Sequence, residues 1–77
     1  MSCNLYGVGD KCRAKNAITV VRQVQPNQQV SVVIQKDDEG LVLDINPDIH
    51  VMVVFWFRLQ QSVIMTHSQI HDLDRLP

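Results

Sequence analysis

The sequence predicts an all-β fold, a small barrel of five to six short strands. Three observations predict it. Apolar and polar residues alternate along most of the chain, the period of a half-buried strand. Turn-forming residues interrupt these stretches at short intervals: Gly7 and Gly9, Pro26 and Asn27, the acidic stretch ending in Gly40, and Asn46 with Pro47. No window carries the i, i+3, i+4, i+7 apolar pattern of a capped amphipathic helix. Closing the strands into a barrel would remove exposed edges.

The elements follow in order. Residues 1–5 read as a loose tail. Tyr6, Gly7, Val8, Gly9 and Asp10 form a turn that feeds Lys11, Cys12, Arg13 and Ala14. Residues 17–25 read as a strand with Ile18, Val20 and Val24 on one face. Pro26 and Asn27 break it. Residues 29–36 form the next strand, with Val30, Val32 and Ile34 inward. Asp37, Asp38, Glu39 and Gly40 make a hairpin turn. The chain returns over residues 41–45, with Leu41, Leu43 and Ile45 sharing a face. Residues 26–50 thus read as an extra hairpin. A polar link at Leu59, Gln60 and Gln61 precedes a strand over 62–67, with Val63 and either Met65 or Ile64 inward. In the tail, Ile70, Leu73 and Leu76 recur every three residues, the period of a single C-terminal 3₁₀ turn or short helical turn that Ser68 could cap. SH3-like barrels are built this way, so the expected architecture is one SH3-like domain over residues 1–77.

Between Asn46 and Leu59 lies the most apolar stretch: Val51, Met52, Val53, Val54, Phe55, Trp56 and Phe57. β-Branched and aromatic residues in a row read as a strand. Alternation puts Val51, Val53, Phe55 and Phe57 on one face and Met52, Val54 and Trp56 on the other. Both faces are apolar, and a small open sheet buries only one. If Phe55 and Phe57 fill the barrel, Met52, Val54 and Trp56 face outward. They then meet either a second subunit or the 26–50 hairpin. Tryptophan and methionine are enriched at interface centres.

A chain of 77 residues is one domain. It buries only about 60–65% of its unfolded surface, which makes a lone monomer marginal. Net charge is −1, unlike the basic balance of a general nucleic-acid binder. The charge is uneven: residues 1–25 carry a net +3 and residues 26–50 a net −4. Cys3 and Cys12 form no disulfide scaffold and no zinc-ligand spacing with histidine. No leader peptide is visible, and the 51–57 run is too short to span a membrane. The expected location is the cytoplasm.

Few residues suggest chemistry. His50, His67 and His71 titrate near neutral pH. His67 and His71 are four apart, which would bring them together on a helix, and Asp72 or Asp74 could extend them into a metal cluster. The plainer reading is three surface histidines near strand ends. Cys12 reads as a small core residue, since Lys11 and Arg13 point away from its face. No serine stands in a nucleophile motif. Gly7, Gly9 and Gly40 form no phosphate loop, and the acidic turn is too short for a calcium loop. Tyr6 with Lys11, Arg13 and Lys15 is the best candidate basic patch for nucleic acid.

Two segments carry family resemblances. Val8, Gly9, Asp10, Lys11, Cys12, Arg13, Ala14 and Lys15 form a "VGD-x-x-R-x-K" opening. The second segment is the Val53 to Phe57 stretch, with the Gln69, Ile70, His71, Asp72, Leu73 ending. Together they resemble the small bacterial family named after YodC. Its members share a "GD-x-V-x-L-K" start, a central Trp-Phe and a closing strand with a leucine turn. That resemblance implies an SH3-like barrel and no established activity. The same opening is also similar to that of the plasmid-borne type II dihydrofolate reductases, tetramers around a central pore. Ser68, Gln69, Ile70 and His71 match two of the four positions of their late "VQIY" strand. That resemblance implies Lys15 at the substrate's glutamate tail and Gln69 and Ile70 lining the pore, with His71 replacing the tyrosine.

The expectation that combines these readings is a non-enzymatic interaction module without cofactor or metal. It would self-associate as a dimer or tetramer through Met52, Val54 and Trp56, and take a protein or peptide partner. A nucleic-acid-binding barrel and a reductase-like oligomer are the alternatives.

Overall fold

The computed structural model describes residues 6–77; the tail expected over residues 1–5, and with it Cys3, lies outside them, as does the Val24 side chain. The described chain runs β1 (Lys11–Ala14), β2 (Ile18–Gln25), β3 (Gln28–Ile34), β4 (Glu39–Asn46), β5 (Val51–Trp56), β6 (Gln61–Met65), α1 (His67–Ile70) and β7 (Leu73–Arg75). The fold is all-β, as the alternation predicts. Five strands form one sheet in the order β6-β5-β4-β1-β7, and β2 and β3 form a separate pair. The edges of the larger sheet are β6 and β7, and no ladder joins them among the described residues. No helix among the described residues is long and apolar enough to cross a membrane.

β1 alternates strictly. Cys12 and Ala14 are buried, while Lys11 and Arg13 point out. The β2–β3 hairpin turns at Pro26 and Asn27, with Gln25 opposite Gln28. Ile18, Val20, Val32 and Ile34 reach the core, but Val30 is 42% exposed because the hairpin tip extends past the core.

The expected hairpin over residues 26–50 does not form. β3 pairs with β2, whereas β4 pairs with β1 and β5. The acidic stretch is where the chain crosses between sheets. Asp38 accepts from the Gln35 backbone N–H at 2.9 Å, and Asp37 takes a positive φ of 73°. Asp37 N–H donates to Ala14 C=O and Ala14 N–H donates to Asp38 C=O, so the end of β1 holds the crossing in place. Glu39 and Gly40, read as turn residues, belong to β4 instead.

Gly40 lies opposite Trp56 in the β4–β5 ladder. A Cβ there would stand 2.6 Å from Val54 Cγ1, 2.9 Å from the Phe55 carbonyl oxygen and 3.1 Å from Trp56 Cε3. Glycine is therefore required by close approach, and its absent side chain leaves room for the indole. A β-bulge shifts the ladder between Val42 and Asp44. The bulge ejects Leu43, 44% exposed, and lets both Val42 and Ile45 serve the core. The expected face of Leu41, Leu43 and Ile45 is corrected accordingly.

β6 points Val63 and Met65 inward and Ile64 outward. Of the two expectations for the tail, a single 3₁₀ turn or a short helical turn, the second forms. Helix α1 starts at His67 with Thr66 as N-cap, and Gln69 Oε1 accepts from the Thr66 backbone N–H at 2.9 Å. The cap is thus a Thr66–Gln69 pair, not Ser68. Leu73 then opens β7, which pairs antiparallel with β1.

Candidate functional site

The strand expected to present an outward patch is reversed. Met52, Val54 and Trp56 are each 0% exposed and form the centre of the core with Cys12, Ile34, Val42 and Met65. They are not an interface patch in the folded chain. Period-two alternation cannot choose between two apolar faces; the Gly40 vacancy opposite Trp56 does. Val51, Val53 and Phe55 are the half-buried outer face, and Phe57 leaves the strand in the following turn. Phe55 and Phe57 pack edge to face, with centroids 6.0 Å apart. The indole Nε1 of Trp56 is buried without a hydrogen-bond partner among the described residues.

What remains outside is an apolar strip on other residues. Val53 and Ile64 are cross-strand partners on the outer face of β5 and β6. Val21 on β2 is 58% exposed and Ile64 is 61% exposed. These side chains border a groove of about 490 Å³ lined by Val20, Val21, Arg22, Val53, Ser62 and Ile64. Arg22 Nη1 donates to Gln61 Oε1 at 2.6 Å, a polar link between β2 and β6. Among the described residues each of these two strands has a ladder on one side only: β2 with β3, and β6 with β5. The groove therefore lies between two strand edges. Ile64 reads in the sequence as an alternative inward residue to Met65 and faces outward instead; Val21 carried no signal beyond its place in the alternation.

The expected basic patch is of mixed sign. Arg13 Nη2 lies 3.3 Å from Glu39 Oε2, and Lys15 Nζ lies 3.9 Å from Asp74 Oδ1. Lys11 is exposed on the same side of β1. Tyr6 packs partly against the core, and burial pushes its phenol up to about 12. The acidic residues come from β4 and β7, which flank β1 in the sheet, so the +3 of the first third is interleaved with carboxylates. Such exposed pairs contribute little to stability, but they change the face a polyanion would meet.

Cys12 is a core residue. Burial, as the larger effect, pushes its thiol up to about 12, against a smaller lowering by a backbone hydrogen bond from Gly40. That is the opposite of an activated thiolate. Gln69 and Ile70, the pore-lining pair by resemblance to the reductases, sit on α1. Ile70 is buried in the core and Gln69 is engaged in the cap.

The histidines come together. His67 Nε2 and His71 Nε2 are 3.3 Å apart, with ring centroids at 4.7 Å. His50 joins edge-on to His67, centroids 5.1 Å apart. The β5–β6 register explains the third ring. Met52 lies opposite Met65, so continuing the ladder outward brings residue 50 opposite residue 67. Asp72 instead accepts from Asn16 Nδ2 at 3.3 Å, and Asp74 faces Lys15. Asp72 and Asp74 are thus not part of the cluster; His50 is, a pairing hidden in the hairpin register.

The chain matches no protein-family model, no curated protein and no solved structure.

Proposed function

We propose that this chain is a small non-enzymatic interaction module that self-associates through the strip between β2 and β6. The observation that carries the reading is a groove bordered by exposed Val21 and Ile64 and lying between two strands that, among the described residues, each ladder on one side only. Open strand edges beside apolar side chains accept an extended segment, whose backbone completes hydrogen bonds while its side chains fill the groove. A second copy is the occupant we assign. Among the described residues the groove holds Arg22 as its one charged lining residue, already linked to Gln61, so it suits a near-neutral strand such as Gln61–Met65 of another copy. The strand order supports an SH3-like architecture: β1, a hairpin excursion, a β4-β5-β6 meander, a helical turn and a last strand returning beside β1.

Light scattering behind a sizing column tests the reading with two variants. Ile64→Arg places a charge in the strip and is expected to reduce an oligomer to the 8.8 kDa chain mass. Leu43→Arg, on the exposed bulge of β4, is expected to leave the oligomer intact. An oligomer that survives Ile64→Arg, in a protein whose Trp56 emission is native, contradicts the assigned surface.

A further inference from the structure

We propose that His67 and His71, completed by His50, bind a borderline divalent cation of the zinc class. The two Nε2 atoms stand 3.3 Å apart. Nitrogen ligands at about 2.0–2.1 Å around a tetrahedral ion lie about 3.3–3.4 Å from each other. The pair is therefore spaced as one edge of a zinc coordination tetrahedron. The spacing is fixed from below. His67 opens α1 directly after its Thr66 cap, His71 closes it, and buried Ile70 and Leu73 anchor the turn to the core. One helical turn brings both rings to the same side.

His50 supplies the third ring. It ends the turn from β4 to β5 with a positive φ of 53°, a conformation that histidine tolerates better than most residues. Its ring already touches that of His67. Among the described residues no three such side chains stand ready-made around an ion. The site is a preset pair that His50 completes by reorienting its ring, whose centroid lies 5.1 Å from that of His67, with water filling the fourth position. All three histidines are exposed, so the ion has an open path.

Coordination uses the Nε2 lone pairs of His67 and His71, so the bound form of each ring carries its proton on Nδ1. The hydrogen bond between the two Nε2 atoms is given up for two metal–nitrogen bonds. The site is independent of the β2–β6 strip, since none of its residues lines that groove.

Titration of the full-length, metal-stripped chain with zinc sulfate tests the proposal, read by calorimetry and by histidine ring shifts in NMR spectra. The expected result is saturable uptake of one ion per chain, with shifts at His50, His67 and His71. The double variant His67→Ala/His71→Ala loses that uptake, and His50→Ala weakens it by about tenfold, the loss of one ligand of three. The three positions are exposed, and native Trp56 emission verifies that the variants fold. Uptake unchanged in the double variant, or no saturable uptake by the wild-type chain, overturns the site.

Discussion

Gly40 decides which way the central strand faces. Its missing side chain is matched to Val54, the Phe55 carbonyl and the Trp56 ring, with the nearest approach at 2.6 Å. Gly40→Ala therefore forces the β4 and β5 backbones apart. It is expected to cost about 1–3 kcal/mol, the range of core overpacking, read as a lower urea midpoint at unchanged m-value. A shift of a few tenths contradicts the tight approach. Cys12 gives a second residue-scale prediction. Its folded thiol titrates at about 12 against an ordinary 9.0, so folding favours the protonated form. The associated stability is fully present below pH 9 and is lost as pH rises from 9 towards 12. Tyr6, raised from 10.0 to about 12, adds a loss of the same sign at slightly higher pH. Cys12→Ala is expected to flatten the part of the alkaline decline that begins near pH 9. An identical alkaline profile in that variant contradicts the burial of the thiol.

At the scale of elements, most strands were legible because their alternation has one apolar face. The facing of β1 follows directly from it, and the Pro26–Asn27 turn follows from its two turn-forming residues. Two features were not. β5 is apolar on both faces, so its period says strand without saying which side is in. Gly40 reads equally well as a turn residue or as a residue of close approach, and only the opposing indole separates the two. The same ambiguity produced the expected 26–50 hairpin, which the crossing at Ala14, Asp37 and Asp38 replaces. That crossing is clamped by Arg58. Its Nε donates to both carboxylate oxygens of Asp38 at 2.9 and 2.8 Å, and its Nη2 donates to the Val33 carbonyl at 2.9 Å. One side chain thus ties the β5–β6 turn to the end of β3. Arg58→Ala is expected to cost about 1 kcal/mol, the contact being half exposed. Arg58→Lys recovers little of it, because an ammonium cannot reproduce the fork. Full recovery by lysine contradicts the clamp.

At the scale of the molecule, the apolar excess that suggested a covered face is present, but on other residues. The core takes Met52, Val54 and Trp56 within one chain. The uncovered apolar area moves to Val21, Val53 and Ile64, where β2 and β6 present their edges. Placing it required the relation between the two sheets, which no local pattern encodes. The histidine cluster was equally hidden, since His50 meets His67 through the continued β5–β6 ladder. The most direct test of self-association through this strip is the solution mass of the wild-type chain, measured by light scattering over a range of concentrations. Self-association through the strip gives a mass of two or four times 8.8 kDa that falls on dilution. A mass of 8.8 kDa at every concentration contradicts it.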